Sequence, residues 1–205
     1  MHRTVAFYFS IGSRYSYLAS TQIARLEADT GCRVLWRPLY SSDLMAARSM
    51  DPFQGPPASG QYEPRYRMID ATRWARFYGV PYVEPDWSKH PWRRYALAAV
   101  AAGRLGNCAA FSHALFAAIF ADGAGPIADD GLARLAVKVG LPSGRLLADL
   151  ADSQTEAEHR HNVDAALDAG VFGVPSFVVD REMFWGNDRL VLLRHHLLAK
   201  GAGAS

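Results

Sequence analysis

Val5-Ala6-Phe7-Tyr8-Phe9 and, just after it, Ser13-Arg14-Tyr15-Ser16 read as a buried strand passing through a tight turn into a helix. Leu18, Ala19, Ile23 and Leu26 keep a helical spacing through residues 15–30, and Gly31 supplies a stop. Arg33-Val34-Leu35-Trp36-Arg37 reads as a second strand, ended by Pro38. A helix as crossover between them makes a right-handed βαβ unit with parallel strands. The turn has the spacing of a C-x-x-C redox motif with a hydroxyl in place of each sulfur. A serine hydroxyl performs no thiol–disulfide exchange, so a working sulfur at this turn has to arrive on a bound thiol.

Beyond residue 40 the pattern becomes helical up to about 165. A Pro- and Gly-rich loop falls at residues 51–60, with helices expected at 62–78, 91–105, 107–121, 129–139, 143–150 and 154–169. Asp129 or Asp130 is expected to cap one of these, and Pro142-Ser143 to open another. Strand character returns after Gly170 in Ser176-Phe177-Val178-Val179-Asp180, then in Glu182-Met183-Phe184-Trp185, ahead of a last helix at 188–199. The expected fold class is α/β, a βαβ…ββα domain over residues 1–40 and 166–205, split by an all-helical insertion over 41–165.

Composition bounds the function. The 205 residues are 50% hydrophobic, enough for a full core. The net charge of +2 leaves no basic footprint for nucleic acid or an anionic membrane. The apolar stretch 96–121 is interrupted by Arg104, Asn107, Ser112 and His113, so no membrane span is expected. The opening apolar run is too short for a signal peptide, which points to the cytoplasm. Cys32 and Cys108 sit in no motif and are expected as free, buried thiols. Glu156, Glu158, His159 and His161 do not share a ligating helix face and are expected as a solvated surface, with no metal site.

Ser13 stands where a helix begins, so its oxygen is placed to cap that helix. The same helix end carries partial positive charge and unpaired N–H groups, which stabilise a thiolate. Lowering a bound thiol's pKa by two units requires about 2.7 kcal/mol, within reach of one charge-assisted hydrogen bond plus the helix terminus. Ser13 is therefore the candidate catalytic residue. Gly173-Val174-Pro175-Ser176 precedes a strand; a cis Val174–Pro175 bond would leave the Val174 backbone free to pair with a peptide-like ligand. Asn187 and Asp188 open the last helix, where free N–H groups suit a carboxylate and Asp188 suits an amino group; the γ-glutamyl end of glutathione offers both.

Taken together these segments, with Trp36-Arg37-Pro38, Asp70-x-x-Arg73-Trp74-Ala75 and Gly186-Asn187-Asp188-Arg189-Leu190, resemble the 2-hydroxychromene-2-carboxylate isomerases, a DsbA-like, thioredoxin-fold family that includes kappa-class glutathione transferases. The resemblance implies a thioredoxin-like domain with a helical insertion, a homodimer, glutathione as cofactor, and a serine at Ser13 contacting its sulfur. It further implies a small aromatic substrate. Val174, Pro175, Asn187, Asp188 and Gln54 are the implied cofactor-binding positions. The sequence departs from the family at Arg14, in place of a proline; at Ser10, in place of an acid; at Gln54, in place of an asparagine; and near Glu63, where a lysine is expected and Arg65 or Arg67 can substitute. Arg14 is the candidate for a substrate carboxylate. The expected activity is a glutathione-dependent isomerase, the alternatives being a kappa-like transferase or a thiol- or peptide-binding protein without turnover. A disulfide oxidoreductase is disfavoured by the absence of cysteine at the turn.

Overall fold

The computed structural model describes residues 3–48 and 63–199. Four strands form one mixed sheet in the order β2-β1-β3-β4. Strand β1 (Thr4–Phe9) pairs in parallel with β2 (Arg33–Pro38) and antiparallel with β3 (Ser176–Val179), which turns tightly through Asp180-Arg181 into β4 (Glu182–Trp185). Both turn residues have positive φ, 51° and 66°, the backbone that a two-residue hairpin needs. The centre of the sheet is aromatic. Phe7 stacks on Phe177 at 4.7 Å and on Phe9 at 5.0 Å, with Trp36 edge-on to both phenylalanines of β1.

The connection from β1 to β2 is two helices rather than the single one expected. Helix α1 (Arg14–Ser20) ends at Thr21, and α2 (Ile23–Thr30) begins after Gln22. Ser20 and Thr21 turn their hydroxyls back onto the carbonyls of Tyr17 and Leu18, both at 2.7 Å, and compete with the helical ladder there. Gly31 closes α2 in the left-handed conformation, as anticipated. Pro38 lies inside β2 rather than after it. Its missing N–H falls on the outer edge of the sheet, where no ladder bond is lost.

Between β2 and β3 the described residues form helices joined by loops, with no strand: α3 (Ser41–Ala47), α4 (Pro64–Tyr78), α5 (Trp92–Arg104), α6 (Cys108–Phe116), α7 (Asp129–Lys138), α8 (Ser143–Asp149) and α9 (Ser153–Asp168). Helix α3 has no counterpart in the sequence reading. A π turn over Ala117–Ala121 ends α6, so the segment 107–121 is not one regular helix. Neither Asp129 nor Asp130 caps α7. The capping position is Ala128, and Asp129 instead holds Arg94. The surface expected on α9 is also only partly a surface: Glu156 pairs with Arg93 at 2.6 Å, but His159 is buried and accepts the Tyr40 N–H at 3.0 Å. Packing against α3 draws it inward.

Tyr17 ties the first helix to the helical layer: its hydroxyl donates to the Pro81 carbonyl at 2.6 Å, and its ring stacks on Phe120 at 5.4 Å. Helix α10 (Leu190–Ala199) follows a short 3-10 turn at Asn187–Arg189 and packs on α2. Among the described residues no helix is long and apolar enough to cross a membrane.

Candidate active site

Ser13 is the N-cap of α1. Its backbone is extended, and its oxygen accepts the Ser16 N–H at 3.1 Å. Capping uses the oxygen as acceptor and leaves the hydroxyl hydrogen for another partner. The turn is pinned from behind. A Cβ on Gly12 would come within 3.1 Å of the Trp92 ring, so the turn sits close against that indole. Ser16 is fully buried and its hydroxyl lies 3.4 Å from the Ser10 N–H.

The Val174–Pro175 bond is cis, as the sequence suggested. Strand pairing of β3 begins only at Ser176, so the peptide groups of Val174 stay outside the ladder. The loop is braced by the Pro175 carbonyl, which accepts the Gly186 N–H at 2.9 Å, and by the Ser176 hydroxyl, which donates to Gly173 at 2.7 Å. Val174, Pro175, Asn187 and Asp188 come together in one groove of about 400 Å³ whose other wall holds Tyr15, Arg67 and Trp74. Helix α1 packs on both α4 and the 187–189 turn and brings Tyr15 into the groove wall, while Ser13 is not among the lining residues.

Tyr15 donates to Asp70 at 2.9 Å, and burial, reinforced by that carboxylate, raises its pKa. The Tyr78 hydroxyl donates to the Asn187 carbonyl at 3.0 Å and holds the second ligand-facing turn in place. Burial, and then the nearby Arg14 charge, lower the pKa of Arg67 from its ordinary value. Of the two candidates to replace the missing lysine, Arg67 lines the groove and Arg65 does not. Glu63 caps α4, accepting the Arg65 N–H at 3.0 Å.

Arg14 takes the opposite direction from Ser13. Its side chain is 7% exposed, its Nη2 lies 2.9 Å from Glu84, and its guanidinium sits 4.6 Å over the Trp87 ring. Glu84 is also held by Trp87 Nε1 at 2.6 Å and by the Tyr82 hydroxyl. The Nε and Nη1 of Arg14 are buried without a hydrogen-bond partner. Arg14 is therefore not among the residues that line the groove. Gln54 lies outside the described residues.

The family model for a DSBA-like thioredoxin domain matches residues 4–198. The chain belongs to the DsbA-like thioredoxin family. Within this DsbA-like family it is similar to the 2-hydroxychromene-2-carboxylate isomerase of Sphingobium xenophagum, 33% identical over 97% of this chain and 100% of the relative. The enzyme of the same name from Pseudomonas putida is 29% identical over 92% of this chain and 91% of its own. A solved structure of a 2-hydroxychromene-2-carboxylate isomerase superimposes with a TM-score of 0.83 at 28% identity, covering 98% of this chain and 99% of the other.

This DsbA-like chain carries its two thiols away from the groove. Burial raises the pKa of Cys32, and it pushes Cys108 up to about 12. Tyr15 is a groove residue that sequence reasoning did not single out. Tyr15 had a visible signal, since it lies two residues after the capping serine.

Proposed function

We propose that this chain is a glutathione-dependent isomerase of the 2-hydroxychromene-2-carboxylate isomerase type, acting on a small aromatic electrophile. The observation that carries the reading is Ser13, whose capping bond leaves one hydroxyl hydrogen to donate at the positive end of α1, in a chain whose cis-proline loop keeps the Val174 peptide groups outside the sheet ladder. The relatives' shared name supplies the reaction class.

The residues fit a tripeptide thiol. Val174 offers peptide groups for a strand-like pair with the cysteinyl unit, Asn187 and Asp188 form the end suited to the γ-glutamyl group, and Arg67 is a cation for the remaining carboxylate. Asp188 contacts Arg189 in the structure and would exchange that partner for an ammonium. Glutathione, when bound, supplies a thiol whose conjugate base adds to a conjugated electrophile and leaves again, so that the intervening bond can rotate. Ser13 stabilises the negative sulfur by donating its hydrogen, and the α1 terminus adds its dipole. Arg14, buried against Glu84 and Trp87 and outside the groove lining, is given no part in holding the electrophile's carboxylate. We place the chain in the cytoplasm as a homodimer, in line with the resemblance.

Isothermal titration with glutathione, followed by turnover of 2-hydroxychromene-2-carboxylate, tests the reading. Saturable binding and isomerisation are expected, with Ser13→Ala lowering kcat about 100-fold. Absence of glutathione binding removes the proposal. Conjugation of a chloro-nitro aromatic without isomerisation converts it to a transferase.

A further inference from the structure

A second cavity, of about 430 Å³, follows the outer edge of β2 and shares no residue with the active groove. The sheet ends at this edge. Arg33 and Leu39 send their N–H groups inward, to the Arg3 and Phe9 carbonyls at 2.9 Å each, so the alternate residues Val34, Trp36 and Pro38 present their peptide groups outward. Both ends of that edge are closed. Glu27 accepts the Val34 N–H at 2.7 Å, and Asn162 Nδ2 donates to the Pro38 carbonyl at 3.0 Å. The middle, at Trp36, faces the cavity.

Two independent features mark the cavity as built for a chain segment. Asn162 is 2% exposed, and its bond to Pro38 fixes the amide so that Oδ1 is left as a buried acceptor with no donor. A main-chain N–H alongside β2 would supply one. The second feature is charge. Arg33 and Arg37 share one face of the strand, and the carboxylate nearest Arg37, Glu158, stands 4.0 Å away. Arg104, also in the wall, is already held by Asp152 at 3.2 Å. Val34 and Trp36 share the opposite, apolar face.

We propose that the outer edge of β2 accepts, as an added strand, an extended segment of a partner protein in which acidic and apolar residues alternate. Acidic side chains would lie beside Arg33 and Arg37 and apolar ones beside Trp36, while the main chain bonds the Trp36 peptide and Asn162 Oδ1. A second copy of this chain is a poor occupant, because pairing β2 with β2 sets arginines beside arginines.

A fluorescein-labelled peptide of about eight alternating glutamate and valine residues, titrated with the full chain at low salt, tests this by anisotropy. Saturable binding is expected, weakened about tenfold by Arg33→Glu with Arg37→Glu and absent for the lysine–valine counterpart. The same peptide N-methylated at alternate nitrogens is expected not to bind. No saturation overturns the proposal, as does equal binding of the N-methylated peptide, which would mean charge attraction without strand addition. That comparison uses the unmutated chain, so it decides the matter even if the double variant fails to fold.

Discussion

Ser13 and Arg14 are neighbours on one helical turn, yet they face two different environments. Ser13 is partly exposed, with its acceptor used locally and its donor in reserve. Arg14 is turned inward onto Glu84 and Trp87, buried, with most of its donors unanswered. Spare hydrogen-bonding capacity costs little on the first side, where solvent reaches it, and much on the second. The exposed side can therefore be built on a single hydroxyl. The buried side requires a carboxylate that is itself fixed by Tyr82 and Trp87.

Removing that carboxylate breaks the comparison most severely. Glu84→Leu leaves the Arg14 charge buried without its anion and is expected to cost about 3 kcal/mol in urea unfolding. Glutathione affinity, read by calorimetry, is expected to stay within about twofold, because neither Glu84 nor Arg14 lines the groove. Ser13→Ala should do the reverse. Losing the cap costs about 1 kcal/mol, with the kinetic defect in kcat and not in KM for the electrophile. If both variants damage the same parameter, the two sides of the turn are one site. The smallest effect concerns His159, remote from both. Burial lowers its pKa below the ordinary 6.5, so the unfolded chain takes up a proton below that pH which the folded chain refuses. Stability is complete above 6.5 and falls as the pH drops toward the folded value. His159→Gln should flatten that fall by less than about 1 kcal/mol, with His90 and His113, shifted the same way by burial, accounting for part of what remains.

The strand-turn-helix at Ser13 and the loop at Pro175 were legible because hydrophobic period, caps and proline placement are local signals. The break at Thr21 was not, since a hydroxyl that back-bonds to its own helix leaves the apolar spacing intact. Helix α3 escaped for a related reason: only Leu44 is fully buried in it, too little for a periodic stripe. The direction taken by Arg14 was invisible as well. Its long side chain is steered by Glu84 and Trp87, seventy and more positions away, and no local pattern encodes that. In the same way the sequence marks Pro38 as a strand stop, whereas the edge position of β2 lets the strand run through it.

Trp185 has a consequence for the laboratory as well as for the groove. Its ring presses on Gly173, where a Cβ would stand 2.8 Å from Nε1, and sits edge-on to Phe172 at 5.0 Å, beside the Val174–Pro175 loop. With Trp74 on the facing wall, the groove carries two indoles as native fluorophores, so occupancy can be followed by emission from the unlabelled protein.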